Sequence, residues 1–211
     1  MKLGALVAAA MLIASASLSA HRLDEYLQAA RVNLSRARVA LEMDLTPGAS
    51  VADTVLTLID RDGDGAITPL EAESYGRAVL SDLSVEVDDL PIAMTLDHVE
   101  VPAIDEMRQG VGTIEVRATG DIAGGTGRRQ LHFTNHHQPR SSVYLVNALV
   151  PTDDAVTVVS QRRDARQQDV RIDYEVSSQW PRYLYWPAVG AVVLILLYSG
   201  RRKTWTPFAG E

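Results

Sequence analysis

Between positions 60 and 71 the chain reads Asp-Arg-Asp-Gly-Asp-Gly-Ala-Ile-Thr-Pro-Leu-Glu, and this stretch constrains the fold more than any other. Asp60, Asp62 and Asp64 alternate, so three hard carboxylate donors fall at the first, third and fifth positions. Gly65 is sixth, where a chain curling around a common centre must turn sharply and a Cβ would be strained. Ala66 offers a backbone carbonyl at the seventh position. Thr68 at the ninth can act through a water, and Glu71 at the twelfth can close the sphere with both carboxylate oxygens. Oxygen donors at this spacing suit a hard divalent cation. Aspartates also cluster in plain solvated turns, but such turns have no need of Gly at the sixth place together with Glu at the twelfth.

The flanks agree. Before the loop, 50–59 places Val51, Val55, Leu56 and Ile59 at helical spacing. After it, Pro69 stands where a helix can begin without its missing N–H. Leu70, Ala72, Tyr75, Ala78, Val79 and Leu80 then form an expected buried stripe. Over about 30 residues this helix-loop-helix resembles the EF-hand family. The resemblance implies bound calcium held by Asp60, Asp62, Asp64, Ala66, Thr68 and Glu71. EF-hands commonly pair through the eighth loop residue, here Ile67. With a single hand in the sequence, Ile67 is expected to pack onto the rest of the domain.

Outside this region the hydrophobic pattern has a period of two. In 37–45, Val39, Leu41, Met43 and Leu45 share one face. Segments 84–87, 111–118, 129–134, 155–160 and 170–176 also read as strands. Segment 91–96 is expected to pair with 84–87 across Asp88-Asp89. Segment 143–149, almost continuously apolar, is expected at the centre of a sheet. The fold class that follows is mainly β: an antiparallel β-sandwich carrying an inserted EF-hand, plus one C-terminal transmembrane helix.

The ends carry topological signals. Lys2, an apolar run from Leu3 to Ile13 and small residues after it read as a signal peptide over 1–20. Segment 183–200 reads as a membrane helix, with Tyr183, Tyr185, Trp186 and Tyr198 at its ends and Arg201, Arg202 and Lys203 following. The expected division is signal peptide 1–20, first strands 21–49, EF-hand 50–83, remaining strands 84–179, span 183–200 and cytoplasmic tail 201–211. The expected product is a single-pass protein of the cell membrane with its N-terminal domain exported, periplasmic or extracellular. Setting aside Lys2, and Arg201, Arg202 and Lys203 with Glu211, takes the formal net charge from −7 to about −10. That charge argues against nucleic acid as a partner. The chain has no cysteine, hence neither disulfide nor thiolate chemistry.

Histidines supply a second set of candidate ligands. His132 and His136 lie four apart on one face of a strand, with His137 pointing the other way. His21, freed as an N-terminus, would add an amine and an imidazole suited to nickel, cobalt or copper. The competing reading makes His136-His137 a solvated polar loop before Gln138-Pro139. No catalytic residues are assigned: there is no Gly-x-Ser-x-Gly, and Ser141 and Ser142 beside His136 are an adjacency that chance supplies, so the chain is not expected to be an enzyme.

The run His21-Arg22-Leu23-Asp24-Glu25-Tyr26-Leu27-Gln28-Ala29 and the run Ser141-Ser142-Val143-Tyr144-Leu145-Val146-Asn147-Ala148-Leu149 resemble the exported N-terminal region of HupE/UreJ-type membrane proteins. Those proteins carry several spans and are associated with nickel or cobalt uptake. For a chain with one span, the resemblance implies a companion domain with a membrane-protein partner. The leading expectation is calcium binding in a structural role. Transition-metal binding through the histidines, as a transporter accessory, is the alternative.

Overall fold

The computed structural model describes residues 24–178. The expected signal peptide, His21, the apolar segment 183–200 and the tail lie outside the described residues. Among the described residues no helix is long and apolar enough to cross a membrane. Of the described residues, 24–176 belong to one compact unit.

The fold is mainly β, with two five-stranded sheets and three helices among the described residues. The first sheet has the order β5 (Thr95–Glu100), β6 (Ile114–Asp121), β2 (Arg38–Pro47), β1 (Tyr26–Leu34) and β8 (Ser142–Ala148). The second has the order β4 (Leu90–Pro91), β3 (Leu83–Val87), β7 (Gly127–Asn135), β10 (Asp169–Val176) and β9 (Val156–Arg163). Helices α1 (Ala49–Ile59) and α2 (Pro69–Ser81) lie between β2 and β3, and the short α3 (Ile104–Arg108) between β5 and β6.

Alternation builds the core. In β2, Val39, Leu41, Met43 and Leu45 are all buried while their neighbours are not. β10 repeats the pattern with Val170, Ile172, Tyr174 and Val176, and β7 with Leu131 and Phe133. Residues of both sheets and of α1 and α2 join one hydrophobic cluster. Full burial of each large aliphatic there is worth about 1.5–3 kcal/mol. The opposite side of the first sheet is ionic, with Arg31 bonded to Glu42 and Asp44 and Arg117 to Glu115.

Three expectations are corrected. Segment 143–149 is not central: β8 is an edge strand, and Val143 and Leu145 are 37% and 39% exposed. Its apolar run misleads because only Tyr144 and Val146 face inward. β8 also pairs with β1 in parallel, the exception in sheets that are otherwise antiparallel. Finally, only Leu90–Pro91 pairs with β3. The chain then crosses to the first sheet, where 95–100 pairs with β6.

Both edge strands of the first sheet have neighbours against them. Arg163 of β9 donates to the Val146 carbonyl, and Gln161 accepts from the Ala148 N–H at 3.1 Å, so side chains occupy the free backbone of β8. On the far edge α2 packs against β5, and Gly76 makes that approach possible. A Cβ there would stand 3.1 Å from Leu96 Cδ2 and 3.3 Å from Val99 Cβ. Such devices blunt strand edges, which otherwise invite pairing with another chain.

Candidate metal centre

The loop between α1 and α2 is curled around its own carboxylates. Asp60 accepts from Gly63 N–H at 2.8 Å and from Gly65 N–H at 3.0 Å. Asp62 accepts from Asp64 N–H, and Asp64 from Ala66 N–H. These bonds need the chain to reverse twice, and Gly63 and Gly65 do so at φ +72° and +81°. Both values lie in the left-handed region that favours glycine.

Glu71 closes the loop from the first turn of α2. Its carboxylate accepts from Arg61 N–H at 2.9 Å, Thr68 N–H at 2.9 Å and the Thr68 hydroxyl at 2.8 Å. Thr68 in turn caps α2 by accepting from Glu71 N–H, a reciprocal capping box followed by Pro69. The Thr68 N–H, then the Thr68 hydroxyl and the Arg61 N–H, hold the Glu71 carboxyl below its usual range. It is therefore an anionic donor at neutral pH.

Asp60, Asp62 and Glu71 each present a carboxylate oxygen such that all three lie within 4.8 Å of one another. They are the group of three or more such ligands that could share one cation among the described residues. Asp64 and Thr68 stand in the same loop but are occupied with Ala66 N–H and Glu71. Ile67 is partly buried and packs against the hydrophobic cluster, as does Val101 opposite it in the same shallow cleft. In the flanking helices Val55, Leu56, Ile59, Ala72, Tyr75 and Val79 are buried as their spacing implies. Leu70 and Ala78 are exposed instead, because the buried face of α2 runs through Ala72, Tyr75, Gly76 and Val79.

The histidines are dispersed among other partners. His132 Nε2 is bonded to Asp169, and its Nδ1 lies 3.8 Å from Glu86. His136 is exposed, and its N–H donates to the Asp82 carbonyl. His98 is exposed beside Glu100. Ser142 Oγ takes part in a bond with Gln28, and Ser141 Oγ with the Gln138 carbonyl, so neither serine is paired with His136. His137 corrects the solvated-loop reading: only 2% of it is exposed.

His137 marks a feature that the sequence pattern did not reveal. Gln28, Asn135 and His137 are the buried polar residues among the described ones, and all three meet at one node. Asn135 Nδ2 donates to Gln28 Oε1 at 2.8 Å, and His137 N–H donates to Asn135 Oδ1 at 2.8 Å. Gln28 Nε2 and the Tyr144 hydroxyl both donate to the His137 carbonyl. The imidazole bridges Asp82 at 2.8 Å through Nδ1 and the Tyr75 hydroxyl at 3.1 Å through Nε2. Tyr75 continues to the Tyr26 hydroxyl at 2.6 Å. Burial, first of all, raises both phenols above their ordinary values, so they remain neutral donors. The Asp82 carboxylate accepts from Nδ1–H. Nε2 is then free to accept from Tyr75, whose oxygen accepts from Tyr26, and each hydroxyl and ring hydrogen of this Tyr26–Tyr75–His137–Asp82 chain has a partner.

Compared with known proteins, the chain matches no family model, no curated protein and no solved structure.

Proposed function

We propose that this chain is a calcium-binding, membrane-anchored envelope protein in which one EF-hand loop holds the ion and supports an exported β domain. The observation that carries the reading is the convergence of Asp60, Asp62 and Glu71 to within 4.8 Å in a solvent-facing loop. Asp64, the Ala66 carbonyl and Thr68 complete the donor set at the spacing that calcium loops use. Three hard carboxylates without a nitrogen or sulfur donor favour calcium over softer metals. The two sheets are read as the layers of a sandwich, because their inward residues enter one cluster. The anchor is read from the apolar segment 183–200 and the cations after it.

The ion is structural in this reading. Neither flanking helix contains a methionine, the residue that lines the groove of calcium sensors. Ile67, which would pair with a second hand, packs on this chain's own core. Sites of this type outside the cytosol work near 10⁻⁴–10⁻³ M. Millimolar calcium, about one to ten times such a dissociation constant, would add about 0.4–1.4 kcal/mol to stability. Thermal unfolding of the full-length protein with and without millimolar calcium tests this. A rise in Tm that Asp60→Asn abolishes supports the reading, and an identical Tm in both conditions contradicts it.

A further inference from the structure

We propose that the buried polar node around His137 transmits calcium occupancy of the loop to the β7–β8 connection, residues 136–141, which is bonded to the C-terminal end of α2. The inference rests on the calcium reading and adds a place in the fold where binding is felt.

Three observations combine. First, α2 carries both ends of the link. Glu71 lies in its first turn at the loop, Tyr75 follows one helical turn later, and Asp82 caps its C-terminus. A helix moves as a unit, so a shift in the seating of Glu71 is passed to Tyr75 and Asp82.

Second, the connection hangs on those two residues. The His136 N–H donates to the Asp82 carbonyl at 2.9 Å, and the His137 ring is held between the Asp82 carboxylate and the Tyr75 hydroxyl. Beyond them Gln138 is held at φ +49°, a conformation that a non-glycine residue keeps only where its surroundings impose it.

Third, the Tyr75 hydroxyl is shared by two buried partners, Tyr26 and His137. Withdrawing the Tyr75 hydroxyl would strand both Tyr26 and His137 Nε2 in a buried site, at about 1–3 kcal/mol for each unpaired group. The network therefore stays closed until it opens as a whole, the property that lets a small shift at one site become a discrete change at another. Without the ion, the carboxylates of Asp60, Asp62, Asp64 and Glu71 repel one another, and the loop-proximal end of α2 is pushed outward. With the ion they are drawn together and α2 is seated.

Hydrogen exchange of the full-length protein, with and without saturating calcium, tests the coupling. Calcium is expected to slow exchange at least tenfold at His136, His137 and Ser141, besides the loop itself. In Tyr75→Phe the protein should still bind calcium, with affinity lowered several-fold because coupling is reciprocal. The slowing in that variant should be confined to the loop. Tyr26→Phe removes only the hydroxyl behind Tyr75 and should weaken the effect in the same direction. Protection confined to 60–71 in the unaltered protein would overturn the coupling while leaving calcium binding intact. Full protection of 136–141 in both variants would do the same. Absence of any calcium effect, together with no calcium binding, would overturn the calcium reading and the coupling with it.

Discussion

The Tyr75 hydroxyl of α2 and the Tyr26 hydroxyl of β1 lie 2.6 Å apart in the interior, where both side chains are at most 3% exposed. Their bond joins the helix leaving the loop to a strand of the first sheet. Because His137 continues it, one helix residue is tied to β1 and to the end of β7. Tyr75→Phe should lower stability by about 1–3 kcal/mol, the cost of leaving buried partners unpaired. Urea unfolding should show a lower midpoint with an unchanged m-value. An unchanged midpoint would mean that the hydroxyls do not depend on each other.

His137 sets a pH dependence. Burial, opposed by Asp82, holds its imidazole below the ordinary value of 6.5. The unfolded chain then takes up the proton more readily than the folded one. Stability is full above about pH 6.5 and falls as pH drops from there toward the folded value. Losses from carboxylates come at lower pH. Asp153, held low first by the Ala155 N–H, and Asp173, held low first by the Ser160 hydroxyl, act only near and below the usual carboxylate range. Denaturation at pH 7.5 and 5.5 should show a decline that His137→Gln removes. Equal stability of the unaltered protein at the two pH values would refute the buried, neutral imidazole.

Gly76 keeps α2 against β5. Gly76→Val adds branches where a single Cβ is already 3.1–3.3 Å from Leu96 and Val99. The cost should be about 1–3 kcal/mol from overpacking. Calcium affinity should fall as well, because the helix that presents Glu71 is displaced. Calorimetry beside thermal unfolding separates the two effects, and unaltered values of both would show that the contact yields freely.

The position of β8 can be tested at the surface. Leu145→Lys should change stability by no more than about 0.5 kcal/mol, since Leu145 faces outward on an edge strand. Val146→Ala, from a residue 1% exposed, should cost clearly more. The reverse order would restore β8 to the interior.

The two helices and the acidic loop between them were legible because their signals are local: carboxylates, turn glycines and cap all fall within 60–71. The period-two strands β2, β7 and β10 were legible for the same reason, as each declares its inward face by alternation. β8 was not, because an edge strand that is half exposed can still carry Val143 and Leu145, and nothing local distinguishes it from a central one. β5 was hidden by its polar run Thr95-Leu96-Asp97-His98-Val99-Glu100, mostly exposed beside α2. The node was the least legible. Gln28 lies more than a hundred residues from Asn135 and His137 in sequence, and only the parallel pairing of β1 with β8 and the return of β7 bring them together.

The most direct test of the central claim is calorimetric titration of the full-length protein with calcium, beside Glu71→Gln. The account predicts one calcium site per chain, with affinity in the range of about 10⁻⁴–10⁻³ M, lost or weakened at least tenfold in the variant. No calcium heat in the unaltered protein, or equal binding by both proteins, would contradict it.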